Sequence, residues 1–125
     1  MTSSVSHMTF DAHDAFAQAT WWAQVLGGTV GEDDVEGDPE AQVLGPATPL
    51  LFVNVPESKS LKNRGHLDLQ PEDRTRDEEV ERVIGLGATF LDDQRLPDGR
   101  GWIVLTDPEG NEFCILRSQA ERAAD

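Results

Sequence analysis

Hydrophobic and polar positions follow one order twice along this chain. Residues 25–33, VLGGTVGED, align with residues 85–93, GLGATFLDD, at an offset of 60 positions. In both copies an amphipathic helical pattern comes first, a glycine stands where a helix commonly ends in a left-handed residue, and a threonine begins a strand. A repeat at this spacing predicts two copies of one supersecondary unit.

Short alternating segments on either side of each helix predict strands. Residues 6–10 and 65–69 precede the two helices, and the second residue of each segment is a histidine. Turns and further strands follow each helix, and the strands are predicted at residues 41–44, 50–55, 102–105 and 112–116. The order β-α-β-β-β, repeated once, predicts an α+β fold of two tandem βαβββ modules, residues 6–57 and 65–118, within one domain of residues 1–125.

Composition narrows the class of protein. A chain of 125 residues, with 38% hydrophobic and 27% charged residues, is typical of one globular domain. It has no apolar run of the roughly 20 residues that a membrane-spanning helix needs, and its first residues lack the basic start and apolar stretch of a secretion signal. We therefore expect a cytoplasmic protein. The formal net charge of −14 would repel nucleic-acid phosphates and anionic lipids, so neither is an expected partner.

Several stretches resemble the glyoxalase-like, bleomycin-resistance and extradiol dioxygenase proteins of the vicinal oxygen chelate superfamily. They are residues 49–57 (PLLFVNVPE), 66–69 (HLDL) and 101–116 (GWIVLTDPEGNEFCIL), and the similarity extends over roughly residues 6–118. The resemblance implies that each module forms a half-barrel and that the two half-barrels face each other around a cavity. It also implies a small-molecule ligand in that cavity and assembly as a homodimer.

The same resemblance implies positions for a metal site. In the metal enzymes of the superfamily the first and last strands of each module supply the ligands, which by position correspond to His7, Phe52, His66 and Cys114. Phe52 cannot bind a metal, and Cys114 stands where metal-dependent relatives carry a carboxylate. Glu112, two residues before Cys114, would share its strand face. His7, His66 and either Glu112 or Cys114 then form the candidate set for zinc, nickel, iron or manganese.

Each candidate also has a plain structural interpretation. His66 can be a hydrogen-bonded strand residue, and His7 lies near a terminus of the kind that commonly frays. Cys114, flanked by apolar residues, fits a buried structural thiol better than a reactive one. Trp102, on a strand at the expected cavity edge, is the aromatic residue expected to contact a ligand. Three basic residues before His66 would either attract an anionic group or pair with acids: Lys59, Lys62 and Arg64.

Three functional hypotheses follow. The first is a small-molecule-binding protein whose ligand contacts Phe52, His66, Trp102 and Cys114 between the half-barrel walls. The second is a metal-dependent lyase, isomerase or dioxygenase, in which the ion acts as a Lewis acid on oxygens of the substrate. The third is resistance by sequestration, in which a dimer traps an aromatic drug, as bleomycin-resistance relatives do. A third donor atom close to the histidines would favour the second hypothesis.

Overall fold

A computed structural model describes residues 2–124 of the chain. These residues divide into two units, and the boundary, between Ser58 and Lys59, falls between the two copies of the repeat. Each unit contains one four-stranded sheet. Among the described residues, no helix has the length and apolar character needed to span a membrane.

The first unit follows the predicted order of elements. It consists of β1 (Met8–Ala12), α1 (Ala15–Leu26), β2 (Thr29–Val30), β3 (Glu40–Leu44) and β4 (Leu50–Asn54). The strands form a sheet in the order β1-β4-β3-β2, in which β1 and β4 are parallel and the other neighbours are antiparallel. A parallel pair needs a long connection, and the helix with the two intervening strands supplies it.

Local signals set both ends of α1. The Asp14 side chain caps the first turn by accepting a hydrogen bond from the Ala17 backbone N–H at 3.1 Å. Gly27 ends the helix with a φ of 65°, a left-handed conformation that residues with a side chain rarely adopt. The apolar side of the helix packs on the sheet and is buried at Ala15, Ala19, Trp22 and Val25.

The second unit repeats this arrangement. It consists of β5 (Leu67–Leu69), α2 (Arg76–Leu86), β6 (Thr89–Arg95), β7 (Gly101–Thr106) and β8 (Glu112–Leu116), followed by the short helix α3 (Gln119–Ala123). Its sheet order is β5-β8-β7-β6, with β5 parallel to β8 and the other neighbours antiparallel. The prediction of an α+β fold with two tandem βαβββ modules is therefore confirmed.

Helix α2 begins with a reciprocal capping pair and packs through a narrow apolar stripe. The Thr75 hydroxyl oxygen accepts a hydrogen bond from the Glu78 backbone N–H, and the Glu78 carboxylate accepts one from the Thr75 N–H at 2.9 Å. Val83 is fully buried, whereas the next residue, Ile84, is 42% exposed. Successive helical residues are rotated by about 100°, which carries Ile84 past the buried stripe.

Both first strands begin later than predicted. β1 starts at Met8 and β5 at Leu67, so His7 and His66 each lie one residue before a strand. Parallel pairing sets these limits, because the register begins with Met8 opposite Leu50 and with Leu67 opposite Phe113. The two histidines therefore occupy equivalent positions in the repeat.

Candidate functional site

The sheet of the second unit has one face in the core and one face that carries polar side chains. Side chains alternate along a strand, and directly paired residues point the same way. Asp68, Cys114 and Val104 form a row across one face, and Leu116 and Trp102 continue it in the next row. We call this surface the polar face. The opposite face packs in the core through four side chains that are at most 3% exposed: Ile103, Leu105, Phe113 and Ile115.

Three side chains with hydrogen-bonding or metal-binding atoms meet on the polar face. His66 and Asp68 are two residues apart, and Asp68 pairs directly with Cys114 of β8. His66 Nδ1 lies 3.2 Å from Asp68 Oδ1. One ligand atom from each of the three residues lies within 4.8 Å of the other two. We call these residues the His-Asp-Cys cluster.

The Cys114 thiol is the most buried member of the cluster and is held in its protonated form. Cys114 is 6% exposed, whereas the side chains of His66 and Asp68 are 39% and 50% exposed. Burial raises the pKa of Cys114 to about 11, and the charge of Asp68 and a hydrogen bond to Asp68 act in the same direction. The positive charge of Lys62 lowers this pKa, against these effects. At neutral pH the thiol therefore donates a hydrogen bond to the Asp68 carboxylate.

Glu112 lies beside the cluster on β8 and makes a different set of contacts. Its side chain is 6% exposed, accepts hydrogen bonds from the Asn63 backbone N–H at 3.2 and 3.3 Å, and lies 2.8 Å from Lys59 Nζ. Burial raises the pKa of Glu112, but hydrogen bonds from Lys59 and Asn63 outweigh burial and hold that pKa below its usual value. A metal ion at Glu112 would have to displace these contacts, so Asp68 and Cys114 are the better placed donors.

The segment that precedes His66 is fixed to the turn between β7 and β8. Lys59 pairs with Glu112, which is the acid-pairing alternative of the two considered for this residue. Asn63 Nδ2 donates to Asn111 Oδ1 at 2.9 Å, and Asn111 Nδ2 donates to Asp107 Oδ2 at 3.0 Å. Asp107 and Asn111 are themselves buried. This network positions the backbone that leads into the His-Asp-Cys cluster.

Phe52 lies in the core of the first unit. It is 1% exposed and stacks on Phe10, with ring centroids 5.7 Å apart. In the register of β1 and β4, Leu51, paired with Thr9, occupies the position that corresponds to Cys114. The alignment implied by the resemblance is therefore one residue out of register in β4, and a shift of one residue reverses the direction of a strand side chain.

His7 and His66 have different surroundings. His7 Nε2 lies 3.0 Å from the side-chain nitrogen of Gln42, within the first unit. Thr9 and Leu51 stand where the second unit has Asp68 and Cys114, so no carboxylate or thiol adjoins His7 at these two positions. Across residues 2–124, the grouping of three histidine, cysteine or acidic ligand atoms that suits a metal lies in the second unit.

Asp68 was not among the candidate ligands predicted from the sequence, although the sequence contains a signal for it. His66 and Asp68 are separated by one residue at the start of a strand, which places both side chains on one face. The parallel pairing of the first and last strands of the module then brings that face opposite Cys114. Reading the spacing of the two residues together with the strand pairing would have identified the cluster.

The family of this chain is established by a match to residues 7–116, which covers both modules and the whole His-Asp-Cys cluster. The matching family model is described as a glyoxalase-like domain. This chain belongs to the glyoxalase-like family. The expected resemblance to glyoxalase-like proteins is thereby confirmed. No functionally curated protein matches the sequence.

Solved structures share this glyoxalase-like fold at low sequence identity. A variant of the fosfomycin resistance protein FosX from Listeria monocytogenes, solved with Mn(II) and 1S,2S-dihydroxypropylphosphonic acid, is 21% identical over 98% of this chain and 95% of its own, with a TM-score of 0.72. FosX from Mesorhizobium loti is 22% identical over 100% of both chains, with a TM-score of 0.69. A glyoxalase/bleomycin resistance protein/dioxygenase family enzyme from Burkholderia phytofirmans PsJN is 20% identical over 90% of this chain and 97% of its own, with a TM-score of 0.69.

The His-Asp-Cys cluster of this glyoxalase-like chain fits a divalent metal ion. Two ligand atoms of a tetrahedral zinc ion lie roughly 3.3 to 3.8 Å apart, given bonds of about 2.0 to 2.3 Å. The separation of 3.2 Å between His66 Nδ1 and Asp68 Oδ1 is close to that range. Cys114 Sγ lies within 4.8 Å of both donors, so a movement of at most about 1 Å would bring it into range. Mixed nitrogen, oxygen and sulfur donors suit zinc better than manganese, which prefers oxygen.

Proposed function

We propose that this glyoxalase-like protein binds a small molecule on the polar face of its second sheet, at a divalent metal ion held by His66, Asp68 and Cys114. The observation that carries the proposal is the placement of three ligand atoms within 4.8 Å of one another on the polar face, two of them on exposed residues. Asp68 and Cys114 belong to paired strands whose register is set by core burial on the opposite face. The arrangement is therefore a property of the fold.

Each member of the cluster has a defined part in this proposal. His66 offers an imidazole nitrogen, Asp68 offers a carboxylate oxygen, and Cys114 offers its sulfur once the thiol has lost its proton. Three protein ligands are typical of catalytic zinc sites, in which a fourth position stays open for a substrate atom. A bound ion supplies Lewis-acid polarisation of an oxygen of the ligand. Trp102, 43% exposed on the same face, offers an aromatic surface to the apolar part of the ligand.

A lyase, isomerase or dioxygenase reaction is the enzymatic form of this proposal. In comparison with the set expected from the sequence, Asp68 takes the place of His7 beside His66, and of the two alternatives Cys114 and Glu112 the third donor is Cys114. Loss of turnover on chelation, and its return with added metal, would identify such a reaction. Vicinal-oxygen compounds are the first substrates to screen, because an ion with open positions can hold two adjacent oxygens.

The second candidate function is metal-free binding, including sequestration of an aromatic drug. The hydrogen bonding within the cluster favours it, since Asp68 already contacts both His66 and the Cys114 thiol. In that case His66 and Asp68 would bind polar groups of the ligand directly, and Trp102 would pack against its rings. The two candidates differ in whether the cluster takes up a metal ion.

Elemental analysis of untagged protein, purified without chelator and then incubated with zinc, separates the two. We expect about one metal ion per chain in the wild type, and its loss in His66→Ala and Asp68→Asn. The variant His13→Ala is the matched control, because His13 lies two residues before α1 in the other unit. Absence of zinc from a folded wild type, judged by circular dichroism, would reject the metal site and leave the metal-free binder.

Two further variants test the set that the resemblance implied. If His7 and Glu112 were ligands, His7→Ala and Glu112→Gln would lose the ion as completely as His66→Ala. We expect both to retain it, because His7 contacts Gln42 and Glu112 contacts Lys59. Retention in both variants would exclude His7 and Glu112 as ligands and leave His66, Asp68 and Cys114 as the candidates.

We also expect a homodimer, in agreement with the resemblance. β6 is an edge strand, and all seven of its residues are exposed, including Phe90 at 51% and Leu91 at 53%. Exposed apolar side chains on an edge strand favour association with another chain. Light scattering coupled to size exclusion reports the mass, and Phe90→Asp should shift it towards the monomer.

A further inference from the structure

A surface groove of about 380 Å³ lies beside the cluster, within the second unit. It contains the exposed side of Trp102 together with Leu96 and Leu116, and its remaining side chains are arginines: Arg100, Arg117 and Arg122. Leu116 pairs with Trp102 on the polar face and is two residues from Cys114, a distance of about 7 Å along a strand. The groove therefore continues the surface on which the ligand is proposed to bind.

The charge of this groove is opposite to that of the whole protein. Three of the ten lysines and arginines line it, although the chain carries a formal net charge of −14. No acidic side chain belongs to the lining. Asp98 adjoins it, lies 2.7 Å from Arg100 Nε and also interacts electrostatically with Arg117. The three lining arginines outnumber this acid, so a small anion would be attracted to the groove despite the net charge of the protein.

Both walls of the groove are fixed by hydrogen bonds of Arg76 and its neighbours. The Arg76 side chain is buried, and its Nη1 donates to the carbonyl oxygens of Gly99 and Gly101 at 2.9 and 3.2 Å, which holds the end of the β6–β7 hairpin. The Glu121 carboxylate accepts hydrogen bonds from the backbone N–H groups of Arg76 and Ser118, both at 2.7 Å, which holds α3. Preorganised walls reduce the entropic cost of binding a ligand.

We propose that this groove binds the anionic end of a planar aromatic ligand, such as an aromatic carboxylate. The ring packs on Trp102 and Leu116, and the carboxylate pairs with Arg117 and Arg122, whose planar guanidinium groups match a carboxylate in shape. This inference rests on the proposed function, in which a small molecule binds at the His-Asp-Cys cluster. The groove lies on the same sheet face, and its chemistry indicates the class of that small molecule. It requires no metal ion for binding in the groove itself.

The test uses 2-naphthoate as the probe and the neutral 2-naphthamide as its uncharged counterpart. The chain has three tryptophans, and only Trp102 is among the exposed large apolar side chains; Trp21 and Trp22 are 8% and 3% exposed. Its indole N–H signal, assigned with Trp102→Phe, reports binding in a two-dimensional ¹⁵N–¹H spectrum. We expect saturable movement of this signal with 2-naphthoate and a Kd at least tenfold weaker for 2-naphthamide.

Substitution of the arginines gives the decisive comparison. The double variant Arg117→Gln/Arg122→Gln should weaken 2-naphthoate binding about tenfold, whereas Arg74→Gln, which removes an arginine paired with Asp73 outside the groove, should leave Kd unchanged. Equal affinity for the acid and the amide, or an unaffected double variant with an intact spectrum, would overturn the proposal. So would the absence of any movement of the Trp102 signal up to millimolar 2-naphthoate.

A comparison of zinc-free and zinc-loaded wild type distinguishes this inference from the proposed function. We expect both forms to bind 2-naphthoate with the same affinity, because binding in the groove needs no metal ion. Normal zinc uptake without naphthoate binding would reject the groove and retain the metal site. Naphthoate binding without zinc uptake in the wild type would reject the metal site and retain the groove.

Discussion

Replacing Asp68 with asparagine is expected to make the Cys114 thiol more reactive. With a pKa of about 11, compared with the ordinary value of 9.0, the thiolate fraction at pH 7 is roughly one in 10,000, compared with roughly one in 100 for an exposed cysteine. Burial is the largest cause of the shift, followed by the charge of Asp68 and its hydrogen bond. Asp68→Asn removes the charge and retains the burial, so the pKa should fall part of the way, and alkylation at pH 7 should accelerate by about tenfold.

The assay is alkylation by iodoacetamide, followed by intact mass, and Cys114 is the single cysteine of the chain. The wild-type rate should rise about tenfold per pH unit from pH 7 to beyond pH 9, because ionisation continues up to the raised pKa. Asp92→Asn is the control, since Asp92 lies in the same row of the sheet but two strands away. A wild-type rate that levels off near pH 9, or an Asp68→Asn variant no faster than Asp92→Asn, would refute the reasoning.

Three other measurements test the fold and the cluster. Glu112→Gln should lower the free energy of unfolding by about 2 kcal/mol in urea titrations, because the partly buried Lys59 loses its partner. Folding lowers the pKa of Glu112, so the stability that Glu112 contributes is present above its ordinary pKa and is lost as the pH falls. The variant should therefore lose less stability than the wild type on acidification. Phe113→Ala should lower the free energy of unfolding by about 3 to 5 kcal/mol, and Ile84→Ala should lower it by less than about 1 kcal/mol. Equal losses in the two variants would contradict the assigned core. Zinc affinity, measured by competition with a chromogenic chelator, should rise by about tenfold per pH unit because binding displaces the Cys114 proton; a pH-independent affinity would exclude thiolate ligation.

The family, the repeat and the order of elements followed from the sequence because they depend on local signals. The glycine at position 27 ends α1 in the left-handed conformation and Gly87 ends α2 in the same place of the second copy. Periodicity and turn residues then separate the strands, and no contact between distant residues is needed to recognise this order. The matched motifs at residues 66–69 and 101–116 are likewise continuous segments, which is why the family could be identified from them.

The composition of the candidate site was decided by tertiary structure, because strand register determines which way each side chain points. In β4, Leu51 occupies the position that corresponds to Cys114. The next residue, Phe52, points to the opposite face and is buried. In the second unit the parallel pairing of β5 with β8 brings Asp68 to Cys114, 46 positions apart, a partnership that local patterns do not encode. Glu112 has the residue type of a metal ligand, yet its contacts with Lys59 and Asn63 come from a segment far away in the sequence. The sequence alone therefore determined the modules and their family, while long-range pairing determined which side chains share a site.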